Sequence, residues 1–456
     1  MKNFFYILMF PLLLSCETEP LEYERILVKE TVGAKSANDF LNSIGVNSSI
    51  VSRGEYLYQT IDFINYLGAR WIRGGYGADQ ELDDIITLHK ETGAKVCIGT
   101  SSGGDLTTAS LTEKILKTRK LAEAGALLAF EGPNEPNNWS VVYNGVTGGS
   151  NETWLPIADL MRDLYSIVKG DEVLKKYPVF HISENGAETD NVGLQYLEIP
   201  EGSSSLYPAG TKFADYANCH NYISHPSWPG IHDNMTWRAS DPSADSHADG
   251  LYVNYGITWV NGFSGYTEEE LATLPRVTTE TGITIGQQGE DMLSEEMQGC
   301  MYMNLYLAQF KRGWAYTAIY LLKTHSDETN HAAFAFFNQD GTPKVAAHYL
   351  HNLTSILADN PQAETTLETL TFSIPMKPAT VHYLLLQKST GRFMLVVWDE
   401  KYSGGNEKVT INFDNTFKSV KIYDPTYSSS EIETLDNVNS VRLTMSTYPY
   451  VLELQK

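Results

Sequence analysis

Cysteine is scarce in this chain, with four in 456 residues. Cys16 ends an N-terminal apolar stretch, and Cys97, Cys219 and Cys300 stand far apart with no Cys-x-x-Cys. That spacing indicates neither a zinc site nor a disulfide framework, so these three are expected as buried free thiols. Basic charge is also short. Lys and Arg number 33 against 56 Asp and Glu, a formal net charge of −23, so the basic footprint of a nucleic-acid binder is missing. No phosphate-cradling glycine loop, internal repeat or low-complexity segment is present. No cofactor and no metal are expected. The segment His225–Asp233 carries two His and an Asp, but its wide spacing and prolines argue against a metal site.

What is present describes a soluble globular protein: 42% hydrophobic residues, and enough length for one large domain plus a smaller one. A monomer is expected. The acidic balance fits a neutral polysaccharide, oligosaccharide or small neutral ligand. Aromatic residues make up 11%, including 27 Tyr and 8 Trp, a supply that suits sugar-stacking platforms, with most of the rings expected in the core. At the N-terminus Lys2 precedes the apolar run Phe4 to Leu14, too short to span a membrane. It ends Leu13-Leu14-Ser15-Cys16, a resemblance to the lipobox of bacterial lipoproteins. That resemblance implies a signal peptide over residues 1–16, lipidation at Cys16 and an outer-membrane anchor. An ordinary signal peptide is the alternative. Residues 17–36 then form a tether, with Glu24–Val32 able to add a strand to a later sheet.

From residue 37 to 360 the apolar pattern alternates between strand and helix. Strands are expected at Ile44–Asn47, Ala69–Arg73, Lys95–Gly99, Leu127–Phe130, Tyr177–Ile182, Phe213–His220, Arg276–Thr279 and Trp314–Leu322. Helices fall between them, for example Tyr56–Leu67, Glu81–Glu91 before Gly93, Leu111–Ala124 and Glu295–Phe310. Eight such units predict an α/β fold, a (β/α)8 TIM barrel. The aromatic stretch Tyr222–Pro275 reads as a loop over the active face. Residues 361–456 change texture, to short alternating runs broken by Gly, Asn, Asp and Pro. They predict a small C-terminal antiparallel β-sandwich.

The chemistry gathers around Leu127–Trp139, LLAFEGPNEPNNW. The apolar run is a buried strand, and Gly132-Pro133-Asn134-Glu135-Pro136 cannot prolong it. Glu135 therefore follows the carboxyl end of the fourth strand, where a barrel carries its site. Glu280 follows the β-branched run Val277-Thr278-Thr279, at the end of the seventh. These two strands face each other across a barrel mouth.

Asn134-Glu135-Pro136 after the fourth strand, with Glu280 after the seventh, resembles clan A of the glycoside hydrolases over residues 40–358. The resemblance implies Glu135 as general acid/base and Glu280 as nucleophile. Arg73, ending the second strand in WIRGG, matches a clan arginine that hydrogen-bonds the nucleophile. His220 and Tyr222, ending the sixth, match a pair lining the sugar site, with the tyrosine touching the nucleophile. Asn134 is placed to bond the sugar 2-hydroxyl. The clan's tryptophan platform at the end of strand eight has no match; Tyr320 or His325 takes part instead. EGPNEPNN and VTTETG look nearest to the endo-β-1,3-glucanases of glycoside hydrolase family 157, with enzymes resembling family 39 also open.

The residues support the same chemistry. A glycosidic bond breaks through an oxocarbenium-like state, so one carboxyl donates a proton while the other attacks. An ionised Glu280 beside Arg73 is expected to raise the Glu135 pKa. Trp139 and Trp228 are the candidate stacking rings, and Glu184 after strand five is a rival nucleophile or substrate binder. Glu131 is expected inside the barrel, lining it or forming a salt bridge. The resulting expectation is a lipid-anchored retaining β-glycosidase acting on a neutral glycan, endo-acting. A non-catalytic surface glycan-binding lipoprotein and a transglycosylase using the same two carboxyls are its rivals.

Overall fold

A computed structural model of the protein describes residues 29–101, 103–136, 138–149, 153, 155–183, 211–223, 230–241, 273–288, 291–327 and 332–456. Within them eight short strands run parallel: β1 Ile44–Asn47, β2 Trp71–Gly74, β3 Lys95–Gly99, β4 Leu127–Glu131, β5 Val179–Phe180, β6 Ala217–Cys219, β7 Arg276–Thr281 and β8 Trp314–Ile319. Their order is β5-β4-β3-β2-β1-β8-β7-β6, and a parallel bridge between Phe180 and Tyr216 joins the two ends into a barrel. The expected (β/α)8 barrel is present, with strands five and six shorter than the apolar runs that announced them.

Helices surround the strands, among them Leu57–Leu67, Asp79–Thr92, Leu155–Gly170, Glu295–Lys311 and Val345–Leu357. Gly93 closes its helix in the left-handed region at φ 75°, where a side chain would be strained. The helix expected over Leu111–Ala124 is two, Thr108–Lys117 and Arg119–Glu123. The break falls at Thr118, whose hydroxyl donates to Ile115 O at 2.6 Å and so competes with the helical ladder.

Inside the barrel, strand alternation stacks side chains in layers. Trp71, Cys97, Ala129, Phe180, Val277 and Ala318 form an apolar plug, with Tyr216 and Tyr316 packed against it. Two residues further along the same strands stand Arg73, Glu131, Asn218 and Thr279, a polar layer above that plug. The three Cys thiols are free and buried.

The C-terminal region is one antiparallel sheet folded on itself: β9 Thr369–Ser373, β10 Val381–Gln387, β11 Phe393–Asp399, β12 Glu407–Tyr423, β13 Glu431–Met445 and β14 Tyr450–Gln455. Two of the short alternating runs of the sequence, Lys408–Phe413 and Ser419–Tyr423, are halves of the single 17-residue β12, carried past Asp414-Asn415 by an irregularity in its pairing with β13. One half pairs with β9 and the other with β14, so β12 is shared by both layers. Glu30–Gly33 adds to β9 and Lys35–Ser36 to β10, so an N-terminal strand joins the sheet where it overlaps the expected Glu24–Val32, whose first five residues lie outside the described ones. In β11 all seven residues are buried: Met394, Val396 and Trp398 face the barrel, while Phe393, Leu395 and Val397 face the sandwich core. The barrel also sends Asp233–Trp237 to this face. There Thr236, the Trp237 backbone N–H and Trp398 Nε1 all donate to the fully buried Glu400.

Candidate active site

Gly132 lets the chain leave β4 tightly. A Cβ there would stand 2.4 Å from Met161 Sδ and 3.0 Å from the Ile182 backbone nitrogen. The next turn puts Glu135 at φ 42°, a left-handed conformation costing a non-glycine residue roughly 1–3 kcal/mol. The surroundings hold it there. Asn134 N donates to Ser101 O at 2.8 Å, and the N–H groups of Asn138 and Trp139 both close on Glu135 O at 2.8 Å. Pro136 denies Glu135 the ordinary helical region.

On β7 the geometry comes from a bulge. Thr278 pairs with Thr317 and Thr281 with Ile319, so β7 carries one residue more than β8 between those pairs. Alternation would turn Thr279 and Glu280 to opposite faces; the extra residue lets both reach the barrel interior. One oxygen of Glu280 and one of Glu135 come within 4.8 Å of each other, with His220 Nδ1 inside the same limit.

Each carboxyl has its own donors. Arg73 Nη1 donates to Glu280 at 3.1 Å, and the Tyr222 hydroxyl donates to its other oxygen. Glu135 Oε1 lies 2.6 Å from His220 Nδ1, and Asn138 Nδ2 donates to Oε2 at 3.1 Å. Below them Arg73 grips Glu131 with Nε and Nη2, at 2.8 and 2.9 Å, and Nη2 also reaches Asn134 Oδ1 at 2.6 Å. Burial alone would push the Arg73 guanidinium down, but the charges of Glu131 and Glu280 hold it above its ordinary value. Burial likewise works against an ionised Glu131, and Arg73 overcomes it, leaving that carboxyl below the usual range.

The expected polarity of the pair is reversed. Burial pushes Glu280 up; His220 and Arg73 pull against it, and the neighbouring charge of Glu135 adds to the push, so Glu280 ends above the usual range. Burial pushes Glu135 up too, but its hydrogen bond to His220 outweighs that, and it ends below. An ionised Glu280 alone would raise Glu135, but His220, bonded to Glu135, reverses the order. His220 is also what lets Glu135, His220 and Glu280 satisfy metal-ligand distances. Each of the three is already engaged in the hydrogen bonds just described.

Over the pair lies a cavity of about 670 Å3, lined by both glutamates and by Arg73, Asn134, Asn138, Trp139, Tyr222, Tyr320 and His325. That is ordinary ligand-pocket size. It reaches along the ends of β1 to β3, past Ser48, Ser49, Arg53 and Tyr76. Trp139 is 56% exposed on its rim. Tyr320, on a cis peptide to Leu321, sits edge-on to Phe334 and His325. The structure thus gathers Glu135, Glu280, Asn134, Arg73, His220, Tyr222, Trp139 and Tyr320 at one mouth. Trp228, Glu184 and Cys16 lie outside the described residues. Glu131 forms its salt bridge inside the barrel and is absent from the cavity lining.

Sequence reasoning missed Asn47 and Thr279. Asn47, ending β1, is 5% exposed and lines the cavity, and its Oδ1 has no hydrogen-bond partner among the described residues. A polar residue ending a barrel strand was the available signal. Glu55 also escaped notice. Buried at 2% exposure, it accepts from Ser48 Oγ and from the backbone N–H groups of Ser49 and Ile50, which fixes the loop beside Asn47.

No protein-family model and no curated protein matches the sequence. Solved structures do match in fold. A family 39 glycoside hydrolase from Bacteroides cellulosilyticus WH2 superposes with a TM-score of 0.59 at 13% identity, covering 92% of this chain and 82% of that one. CelM2, a bifunctional glucanase-xylanase from a metagenome library, gives 0.57 at 13% identity over 93% and 99%. A family 30 endoxylanase from Clostridium papyrosolvens C71 gives 0.52 at 12% identity over 94% and 98%. At such identities the likeness establishes a common fold, barrel and sandwich together.

Proposed function

We propose that the protein is a retaining β-glycosidase of the clan A kind, with Glu135 as acid/base and Glu280 as nucleophile. The observation that carries this is the close approach of the two carboxyls on β4 and β7, their oxygens within 4.8 Å. Double displacement needs the short separation, because an inverting site must leave room for a water between substrate and base. Tyr222 and Arg73 hold Glu280 where it can attack C1, and Glu135 meets the departing oxygen. The glycone then lies toward Tyr320, His325 and Asn47, and the leaving group toward Asn138 and Trp139. Asn47 Oδ1, without a hydrogen-bond partner among the described residues, can accept from a glycone hydroxyl.

The substrate class is a neutral β-glycan cut internally. The cavity's extension along β1 to β3 and the open Trp139 rim support an elongated occupant. A β-1,3-glucan of the family 157 kind stands first among the candidates on the NEP context. The neighbours in fold are described as acting on xylan and glucan, which keeps both in the test. The Ser15-Cys16 pattern supports a lipid anchor to the outer membrane.

The test is release of oligosaccharides from laminarin, barley mixed-linkage glucan, xylan, mannan and galactan by the wild type and by Glu280→Ala. Release by the wild type, abolished in the variant, supports the assignment and names the glycan. Binding without cleavage, equal in both proteins, overturns it in favour of a glycan-binding protein.

A further inference from the structure

Resting on the glycosidase reading, we infer that the catalytic proton is held between Glu135 Oε1 and His220 Nδ1, and that Glu131 and Thr279 put it there by fixing the histidine's tautomer.

The hydrogens available around Thr279 decide the tautomer. Thr279 Oγ1 has three polar neighbours: Glu131 Oε1 at 2.9 Å, Asn218 Oδ1 at 3.0 Å and His220 Nε2 at 3.2 Å. Glu131 is ionised by its two-pronged bond to Arg73 and only accepts. Asn218 Oδ1 only accepts as well. Its amide is oriented by Thr279 N, which donates to Oδ1 at 3.2 Å, and by His181 O, which receives Nδ2 at 3.2 Å. The single Thr279 hydrogen therefore goes to one of these two oxygens. Pointing it at the histidine would leave two bare oxygen–oxygen contacts in a buried site. His220 Nε2 must then carry a hydrogen and donate it to Thr279 Oγ1.

With Nε2 protonated, the other ring nitrogen decides the chemistry. Nδ1 stands 2.6 Å from Glu135 Oε1, and both atoms are buried. A bare nitrogen lone pair cannot face a carboxylate at that distance, so one proton lies between them. It is written either as a neutral carboxyl donating to imidazole or as an imidazolium donating to carboxylate; the pair holds the same proton count in both. Among the described residues, the other charged or titratable groups facing the pair are Glu280, Arg73 and, beneath the histidine, Glu131, with Tyr222 beyond Glu280.

The steps balance. In the first, a Glu280 oxygen bonds to C1, the C1–O bond to the leaving sugar breaks, and the stored proton passes from the Glu135–His220 pair to the departing oxygen. The nitrogen lone pair and the bare carboxylate now repel, so the 2.6 Å contact opens until a proton returns. In the second, that carboxylate draws a proton from water, the water oxygen bonds to C1, and the C1–Glu280 bond breaks. The proton refills the pair. Thr279 and Glu131 touch no substrate; they are positioning residues acting through His220.

Two measurements on the full-length protein test this. Long-range 1H–15N NMR of histidine-labelled protein, with His220 assigned by its loss in His220→Gln, reads the tautomer without needing turnover. Hydrogen on Nε2 in the wild type, shifted toward Nδ1 in Thr279→Val and restored in Thr279→Ser, is the expected result. A neutral wild-type ring with hydrogen on Nδ1 alone overturns the inference. The second compares phenyl and 2,4-dinitrophenyl β-glucosides and β-xylosides, the dinitrophenolate leaving without acid help. Thr279→Val is expected to lose kcat/KM at least about 10-fold more on the phenyl than on the dinitrophenyl glycoside, a tenth or less of a full general-acid contribution. Equal losses on both would reduce Thr279 to a structural role. Failure of the wild type to cleave any glycoside or glycan would count against the glycosidase reading, and the NMR result would still decide the tautomer.

Discussion

The floor of the barrel mouth and its rim are built in opposite ways. On the floor, Arg73, Glu131, Asn218, Thr279 and His220 are packed between an apolar plug and the two glutamates, and they are tied to one another in a continuous hydrogen-bonded chain. On the rim, Trp139 is largely exposed and Asn47 keeps a buried acceptor without a partner among the described residues. A floor whose groups satisfy one another cannot rearrange around a ligand, so it holds charge and protons in place. A rim with unspent hydrogen-bonding capacity has something left to give a substrate. The division says where mutations should strike: chemistry below, recognition above.

Glu280→Gln should show the largest effect, a loss of about 10⁴-fold or more in kcat/KM with KM little changed, read from initial rates on the cleaved glycan. A KM effect alone would move Glu280 from floor to rim. Glu131→Gln comes next. It weakens the partner of a buried guanidinium, which should cost about 3–5 kcal/mol, measured by urea unfolding, together with activity. A variant as stable as the wild type would break the idea of an interlocked floor.

Glu400 sharpens the point from a distance. Like Glu131 it is fully buried, but its donors are Thr236, the Trp237 N–H and Trp398, with no cation among them. Burial pushes its pKa from 4.5 to about 7, the opposite direction from Glu131. A folded-state pKa above the unfolded one means stability that is full below the unfolded value and lost as pH rises through the folded value. Between pH 4.5 and 7 and just above, Glu400 should therefore remove about 3 kcal/mol. Tm measured from pH 5 to 8 should fall more steeply in the wild type than in Glu400→Gln. Parallel curves would show that the contact between barrel and sandwich does not titrate.

The rim effects are smaller. Asn47→Ala should raise KM about 10-fold at unchanged kcat and leave Tm alone, because the lost hydrogen bond exists only with substrate. Trp139→Ala should raise KM about 5-fold on polymeric substrate and less on short oligosaccharides, from loss of ring stacking. If kcat falls instead, Trp139 belongs with the chemistry.

The barrel was legible because parallel strands buried on both faces read as plain apolar runs. Glu135 and Glu280 were legible because each directly follows such a run. Arg73 and Tyr222 came from their position at strand ends and from the clan resemblance. Of the floor, Arg73, His220 and Glu131 were also legible, while Thr279 and Asn218 were hidden for a reason of geometry. Whether Thr279 faces the barrel depends on a bulge opposite β8, and the sequence RVTTETG does not announce one. The His220–Glu135 contact joins residues 85 apart, and it reversed the expected order of the pKa values. In the sandwich, β12 runs through Asp414-Asn415, residues that ordinarily end a strand, because β13 pairs with it on both sides of the irregularity.

The central claim, Glu135 as acid/base and Glu280 as nucleophile, is tested most directly by azide rescue on a 2,4-dinitrophenyl β-glycoside. Glu135→Ala should regain turnover with azide and yield the β-glycosyl azide, because the covalent intermediate on Glu280 still forms and azide replaces water. An α-glycosyl azide from that variant, or a β-azide from Glu280→Ala, would mean that the two carboxyls have exchanged roles and would contradict the account.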